Sequence, residues 1–235
     1  MTLLSTRGLS KHFDGLQAVS KVDFDLPKGE VRALIGPNGA GKTTLVGMIC
    51  GRIAPSSGSV SFKGQDITRL PAHRRVCLGI AYTFQITSVF PRLTTRENVA
   101  LAARRHLPKA KVANAVETAL ERVGLQDRIG EDAGNLSYGH QRLLETAMGF
   151  VQNPDILILD EPTQGLADSE IERFKSLINE LRKTMTILLI EHNMSVVMEL
   201  ADRVTVLNFG ECLAEGTPQE IHENPKVQAA YLGTG

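Results

Sequence analysis

The residues Gly36-Pro37-Asn38-Gly39-Ala40-Gly41-Lys42-Thr43 satisfy the spacing G-x-x-x-x-G-K-[ST] in full. Glycines at those positions let the backbone turn its N–H groups inward around a phosphate. Lys42 brings a cation to the β- and γ-phosphates, and the Thr43 hydroxyl is a hard oxygen donor suited to Mg²⁺. An apolar VRALI precedes the loop, and Thr44 continues into TTLVGMIC, the strand and helix that such a loop joins. The glycine order does not fit G-x-G-x-x-G, which argues against a Rossmann dinucleotide site. A second piece is DILILDEP, where four apolar residues run into Asp160 and Glu161. Unpaired buried carboxylates are costly, so a buried strand ending in two acids needs a reason. Beside a phosphate loop, Asp160 suits the magnesium ion, and Glu161 can orient or deprotonate an attacking water.

The elements that must hold these groups follow from the hydrophobic pattern. VRALIG, DILILD and TILLIE are short apolar runs, each followed by a helical stretch, and this alternation predicts α/β architecture around a parallel sheet. The first part differs: LSKHFDGLQAVSKVDFDLPKGE and GSVSFKGQDI alternate apolar and polar residues between turn signals, which predicts antiparallel strands. From about Leu93 to Gly134 the chain turns helical, and KVANAVETALERVGL places Val112, Val116, Ala119, Leu120 and Val123 on one face. RVTVLNFGECLAEG predicts two strands about Phe209-Gly210, and Thr217, Pro218 and Glu220 form the capping box of a last helix start. NLSYGHQRLLETAMGF predicts a helix with Ser137 as N-cap and Leu143, Leu144, Ala147 and Val151 on one face.

Composition removes several classes. Lys+Arg and Asp+Glu number 26 each, so bulk charge does not point to a nucleic-acid partner. Cys50, Cys77 and Cys212 form no CxxC, against a disulfide framework or a zinc site. No leader-like apolar run opens the chain and no run approaches the length of a membrane span, so a cytosolic protein, or one held at a membrane through a partner, is expected. No further regulatory domain is expected after Gly235.

Over essentially its whole length the chain resembles the ATP-binding cassette (ABC) ATPases, whose motifs appear in family order. Gln85 in YTFQITSVF matches the Q-loop, which touches metal and water and relays to the membrane partner. LSYGHQ stands where the family has its LSGGQ signature, so Ser137, Tyr138, Gly139, His140 and Gln141 would cover the ATP of a facing subunit. TQGLAD matches the D-loop and His192 in LLIEHNM the switch histidine, while Phe13 falls where the family stacks an aromatic on adenine. Three positions depart from the family: Tyr138 for glycine, His140 for glutamine, and Ala167 for aspartate with Asp168 one place later. LLIEHNM, GTPQEI and ENPKVQAAYLG resemble the branched-chain amino-acid (Leu/Ile/Val) importer branch, with urea and amide importers close by and lipid or lipopolysaccharide exporters as the alternative.

The resemblance implies one ABC ATPase domain over 1–235: a P-loop NTPase core with a mainly parallel sheet, an N-terminal antiparallel β subdomain, and a helical subdomain inserted at about 93–152. It implies ATP and Mg²⁺ as cofactors. Glu161 and His192 would be catalytic, with Thr43, Gln85 and Asp160 on the metal. Phe13, Gly36 to Thr44 and the signature would bind nucleotide. The implied partners are membrane permease subunits, a second ATPase subunit and, indirectly, a solute-binding protein, at the cytoplasmic face of the inner membrane. ABC proteins of DNA repair need a long coiled-coil insertion, and those of translation carry two cassettes; neither is present here. Phe90 in ITSVFPRLT either plugs the helical segment's core or faces the permease.

Overall fold

β2 (Leu16–Pro27) alternates buried and more exposed side chains over most of its length, as a sheet with one covered face requires; its partner β1 (Thr2–Phe13) breaks the alternation at Leu3-Leu4 and Leu9-Ser10, where the pairing register shifts. The turn between them passes through Asp14 and Gly15, both at positive φ (41° and 94°), the two-residue hairpin turn that suits strand twist. β3 (Val31–Ile35) is buried at every residue, as in a strand covered on both faces. The glycine loop leads from β3 to α1 (Lys42–Ile49). β4 (Ser57–Phe62) pairs antiparallel with β1, and β5 (Gln65–Asp66) with β4, giving the order β2-β1-β4-β5. α2 (Ala72–Leu78) carries the buried Arg75, which donates to the Met48 and Ile49 carbonyls at 2.8 and 2.7 Å. A cation there satisfies carbonyls that α1 leaves open and complements its dipole.

The middle of the chain contributes β6 (Ile80–Tyr82), α3 (Thr95–Ala103), α4 (Lys109–Arg122), α5 (Tyr138–Phe150), β7 (Ile156–Asp160) and α6 (Asp168–Leu181). α3 opens with a capping box: Thr94 accepts the Glu97 N–H, and the Glu97 carboxylate accepts the Thr94 N–H at 2.8 Å. Asn98, fully buried, fastens the loop before it by accepting from the Phe90 N–H and donating to the Phe90, Leu93 and Thr94 carbonyls. Phe90 is 53% exposed; it does not fill the helical core, which Val112, Val116, Ala119, Leu120 and Val123 do.

The chain then supplies β8 (Thr186–Ile190), α7 (Met194–Leu200), β9 (Arg203–Asn208), β10 (Glu211–Gly216), α8 (Pro218–His222) and α9 (Pro225–Leu232). β3 runs parallel to β8 and β9, and β10 returns antiparallel to β9 through Phe209-Gly210. Ala33, Ile35, Val197, Val204, Val206, Ile221 and Val227 form one buried cluster, so α7, α8 and α9 are docked on the strands that carry the glycine loop. The computed structural model describes residues 1–83 and 88–232. Met1–Ile80 with Thr186–Gly235 form one compact unit, and Ala81–Met185 form the other.

Candidate functional site

In the first unit the loop is shaped by glycines with no alternative. Gly36 and Gly41 sit at φ 151° and 98°. A Cβ on Gly36 would lie 2.2 Å from the Leu207 carbonyl oxygen, and one on Gly41 2.5 Å from that of Ala18. Neither the conformation nor the space admits a side chain. The Ala40 carbonyl accepts the Gly210 N–H at 3.0 Å, so the β9–β10 turn braces the loop. Lys42 is 7% exposed and donates to the Gly36 and Pro37 carbonyls at 2.6 and 3.1 Å, its ammonium held across the loop. Gly41 is the N-cap of α1, and no side chain caps this helix. Its first N–H groups and the positive end of its dipole therefore form an anion-binding end. Asn38, Gly39 and Thr43 are exposed, Pro37 and Thr44 partly so.

The same unit holds Phe13 and His192. Phe13 is 43% exposed at the end of β1, with the Lys11 ammonium 4.9 Å from its ring centre, so it is not a core residue. His192 is exposed just after β8. The buried Glu191 carboxylate accepts the N–H of His192 and of Asn193 at 3.0 and 3.2 Å. Asn193 then caps α7 through Ser195 and Val196. The histidine backbone is thus fixed on both sides while its ring reaches solvent. Tyr231 of α9 adds a contact that the sequence did not announce. Burial pushes its phenol above the ordinary range, and a hydrogen bond from the Gly36 backbone opposes this.

In the second unit Asp160 is 2% exposed and accepts the Tyr82 hydroxyl at 2.7 Å. Its N–H donates to Thr83 Oγ1 at 3.2 Å, and its carbonyl accepts from Arg142 at 3.3 Å. Glu161 follows at φ 51°, a left-handed conformation that costs a non-glycine residue about 1 kcal/mol or more. Such a cost persists only where surroundings impose it. The Gln164 N–H closes a turn onto the Glu161 carbonyl at 3.2 Å. Ser137 caps α5 by accepting the His140 N–H at 3.2 Å, and Gln141 donates to the Leu136 carbonyl at 3.1 Å. A Cβ on Gly139 would lie 2.7 Å from the Gly165 carbonyl oxygen, so the first turn of α5 abuts the segment after β7.

Gln85 lies outside the described residues. Tyr82, Arg142, Gln164 and Glu170 were not singled out as site residues, although Tyr82 opens YTFQITSVF and Gln164 stands in TQGLAD. Arg142 left a signal of its own, as a charge beside the apolar face of a helix, four residues from Tyr138. Among the described residues no group of three or more His, Cys, Asp or Glu could hold a metal ion. The Thr43 hydroxyl in the first unit and the Asp160 carboxylate in the second are each hard oxygen donors, the type that Mg²⁺ takes.

A glycine-shaped loop between a buried parallel strand and a helix with no side-chain cap defines a P-loop nucleotide-binding fold. The ABC transporter family model matches residues 19–164, and this chain belongs to that family. A model described as branched-chain amino acid ATP-binding cassette transporter matches residues 211–235. The high-affinity branched-chain amino acid transport ATP-binding protein LivG of Escherichia coli (strain K12) is 40% identical, with 98% of each chain covered. The corresponding protein BraF of Pseudomonas aeruginosa is 39% identical at the same coverage. Among solved structures, the ADP conformation of MJ1267, an ATP-binding cassette of an ABC transporter, superposes with a TM-score of 0.89 at 29% identity and covers 99% of both chains. Among the described residues no helix is long and apolar enough to cross a membrane.

Proposed function

We propose that this chain hydrolyses ATP to power a membrane importer whose solutes are branched-chain or related amino acids. The observation that carries the reading is the phosphate loop: Lys42 held over its carbonyls, and α1 beginning at a glycine with no side-chain cap. The match of residues 211–235 supports the amino-acid branch over a urea, amide or lipopolysaccharide transporter. The loop Gly36 to Thr44 holds the phosphates through backbone N–H groups, which Pro37 lacks, Lys42 adds charge at the β/γ bridge, and Phe13 offers its exposed face to adenine. Thr43, Asp160 and Gln85 would hold Mg²⁺, which when bound neutralises charge on the phosphates. Glu161 takes the proton of the attacking water, and His192 contacts the γ-phosphate. Ser137 to Gln141 would cover the nucleotide of a second ATPase subunit, through N–H groups at the start of α5.

The working assembly would comprise two ATPase subunits on permease subunits at the cytoplasmic face of the inner membrane, supplied by a solute-binding protein. The helical segment 93–152 would carry the permease contact. Glu161→Gln tests the chemistry: it should bind ATP, lose hydrolysis and elute as an ATP-dependent dimer in gel filtration. Hydrolysis equal to wild type would remove Glu161 as the base. Cysteine at Ser88, two residues from the exposed Phe90, should cross-link to the permease. Its failure to do so would displace the contact.

A further inference from the structure

The two signature residues that depart from the family both make hydrogen-bonding contacts within their own chain, to the segment after β7. The Tyr138 hydroxyl donates to Gln164 Oε1 at 3.1 Å and accepts from Arg142 at 2.9 Å. Arg142, one helical turn on and 2% exposed, also donates to Gln164 Oε1 and to the Asp160 carbonyl, both at 3.3 Å. Its guanidinium lies 5.2 Å from the centre of the Tyr138 ring. His140 Nε2 lies 3.0 Å from Glu170 Oε1, and the other oxygen of that carboxylate accepts the Ala167 N–H at 2.8 Å. Gly139, between the two, comes so close to the Gly165 carbonyl that no Cβ fits.

The start of α5 therefore grips residues 164–170 at three points, and Arg142 carries that grip to the carbonyl of Asp160. The next residue is Glu161, whose left-handed backbone needs something to hold it. We propose that Tyr138 and His140 are positioning residues. They clamp the segment 164–170 to the signature helix and, through Arg142, fix the backbone from which Glu161 acts. The proposal rests on Glu161 being the base. It gives Tyr138 a reason to be tyrosine: a glycine offers no hydroxyl to Arg142 and Gln164. It also predicts which change at His140 keeps the clamp, because a glutamine amide can donate to the same Glu170 oxygen.

The test is steady-state ATP hydrolysis by the full chain. Tyr138→Phe removes one hydroxyl and leaves the ring, and should lower kcat about tenfold, the worth of one hydrogen bond to a charged group, with KM for ATP within twofold. Gln164→Ala should do the same, and the double variant should be no worse than the worse single one, since both break one link. His140→Ala should lower kcat several-fold, and His140→Gln should restore it. Losses that multiply in the double variant, or a raised KM at unchanged kcat, would overturn the clamp. Full hydrolysis in Glu161→Gln would overturn the functional reading itself. Loss there together with wild-type kcat in Tyr138→Phe would overturn only the clamp.

Discussion

The starts of α1 and α5 are built by opposite means. α1 begins at Gly41 in a left-handed conformation, with no side chain on its first N–H groups. α5 begins at Ser137, whose hydroxyl accepts the His140 N–H, and the side chains of its first turn are tied to residues 164–170. The first is made of backbone and left open to an anion; the second is finished within its own chain. A helix end lacking its cap forgoes about 1 kcal/mol of stability, and α1 can regain more than this from a bound triphosphate. α5 has that stability from Ser137 before any nucleotide arrives. Any phosphate it meets finds N–H groups already oriented.

The comparison breaks most sharply at Lys42. Lys42→Ala should abolish hydrolysis and most ATP affinity, since it removes the cation proposed for the β/γ-phosphates. Turnover like wild type in a phosphate-release assay would mean the open end is not a nucleotide site. Gly41→Ala should be the costlier of the two cap substitutions for the fold. Its Cβ meets the Ala18 oxygen and its φ is strained, so roughly 2 kcal/mol or more should be lost in urea unfolding. Ser137→Ala should cost only about 1 kcal/mol, the worth of a serine cap. Equal costs at Gly41 and Ser137 would erase the distinction between a loop shaped by steric necessity and a helix capped by a side chain.

What the sequence made legible is what local spacing encodes. The glycine loop, the acid-ended strand, the antiparallel start of the chain, the Phe209-Gly210 hairpin and the Thr217–Glu220 box all depend on residues close together in the chain. The apolar face of α4 depends on helical period, and its five residues are buried as expected. The Tyr82 hydroxyl on Asp160 spans 78 positions, and Tyr138 to Gln164 spans 26; no periodicity announces a hydrogen bond between such residues. Tyr138 and His140 stood out as departures from a family pattern, but their partners Gln164 and Glu170 are set by the packing of α5 beside the start of α6. The Thr94–Glu97 box was local and still unread, because its helix follows a proline-containing loop with weak apolar spacing.

The smallest effect separates two caps of one design, Thr94–Glu97 in the second unit and Thr217–Glu220 in the first. In each, hydrogen bonds from the cap threonine's backbone N–H and, next, its side chain hold the glutamate below the usual carboxylate range. A depressed folded pKa means the charged form is favoured by folding. The contribution is therefore fully present above the unfolded value of about 4.3 and lost as pH falls through the lower folded value. Glu97→Gln and Glu220→Gln keep an acceptor for the N–H and remove only the charge. Each variant should be slightly less stable than wild type at pH 7, by urea midpoint, and the gap should close on acidification below about pH 4. The two gaps should close together if the caps act alike. Closure for Glu220 alone would show that α3 draws its stability from the Asn98 fastening of its loop and not from its cap. A gap that stays constant or widens toward pH 3 would mean the carboxylate charge plays no part in either helix.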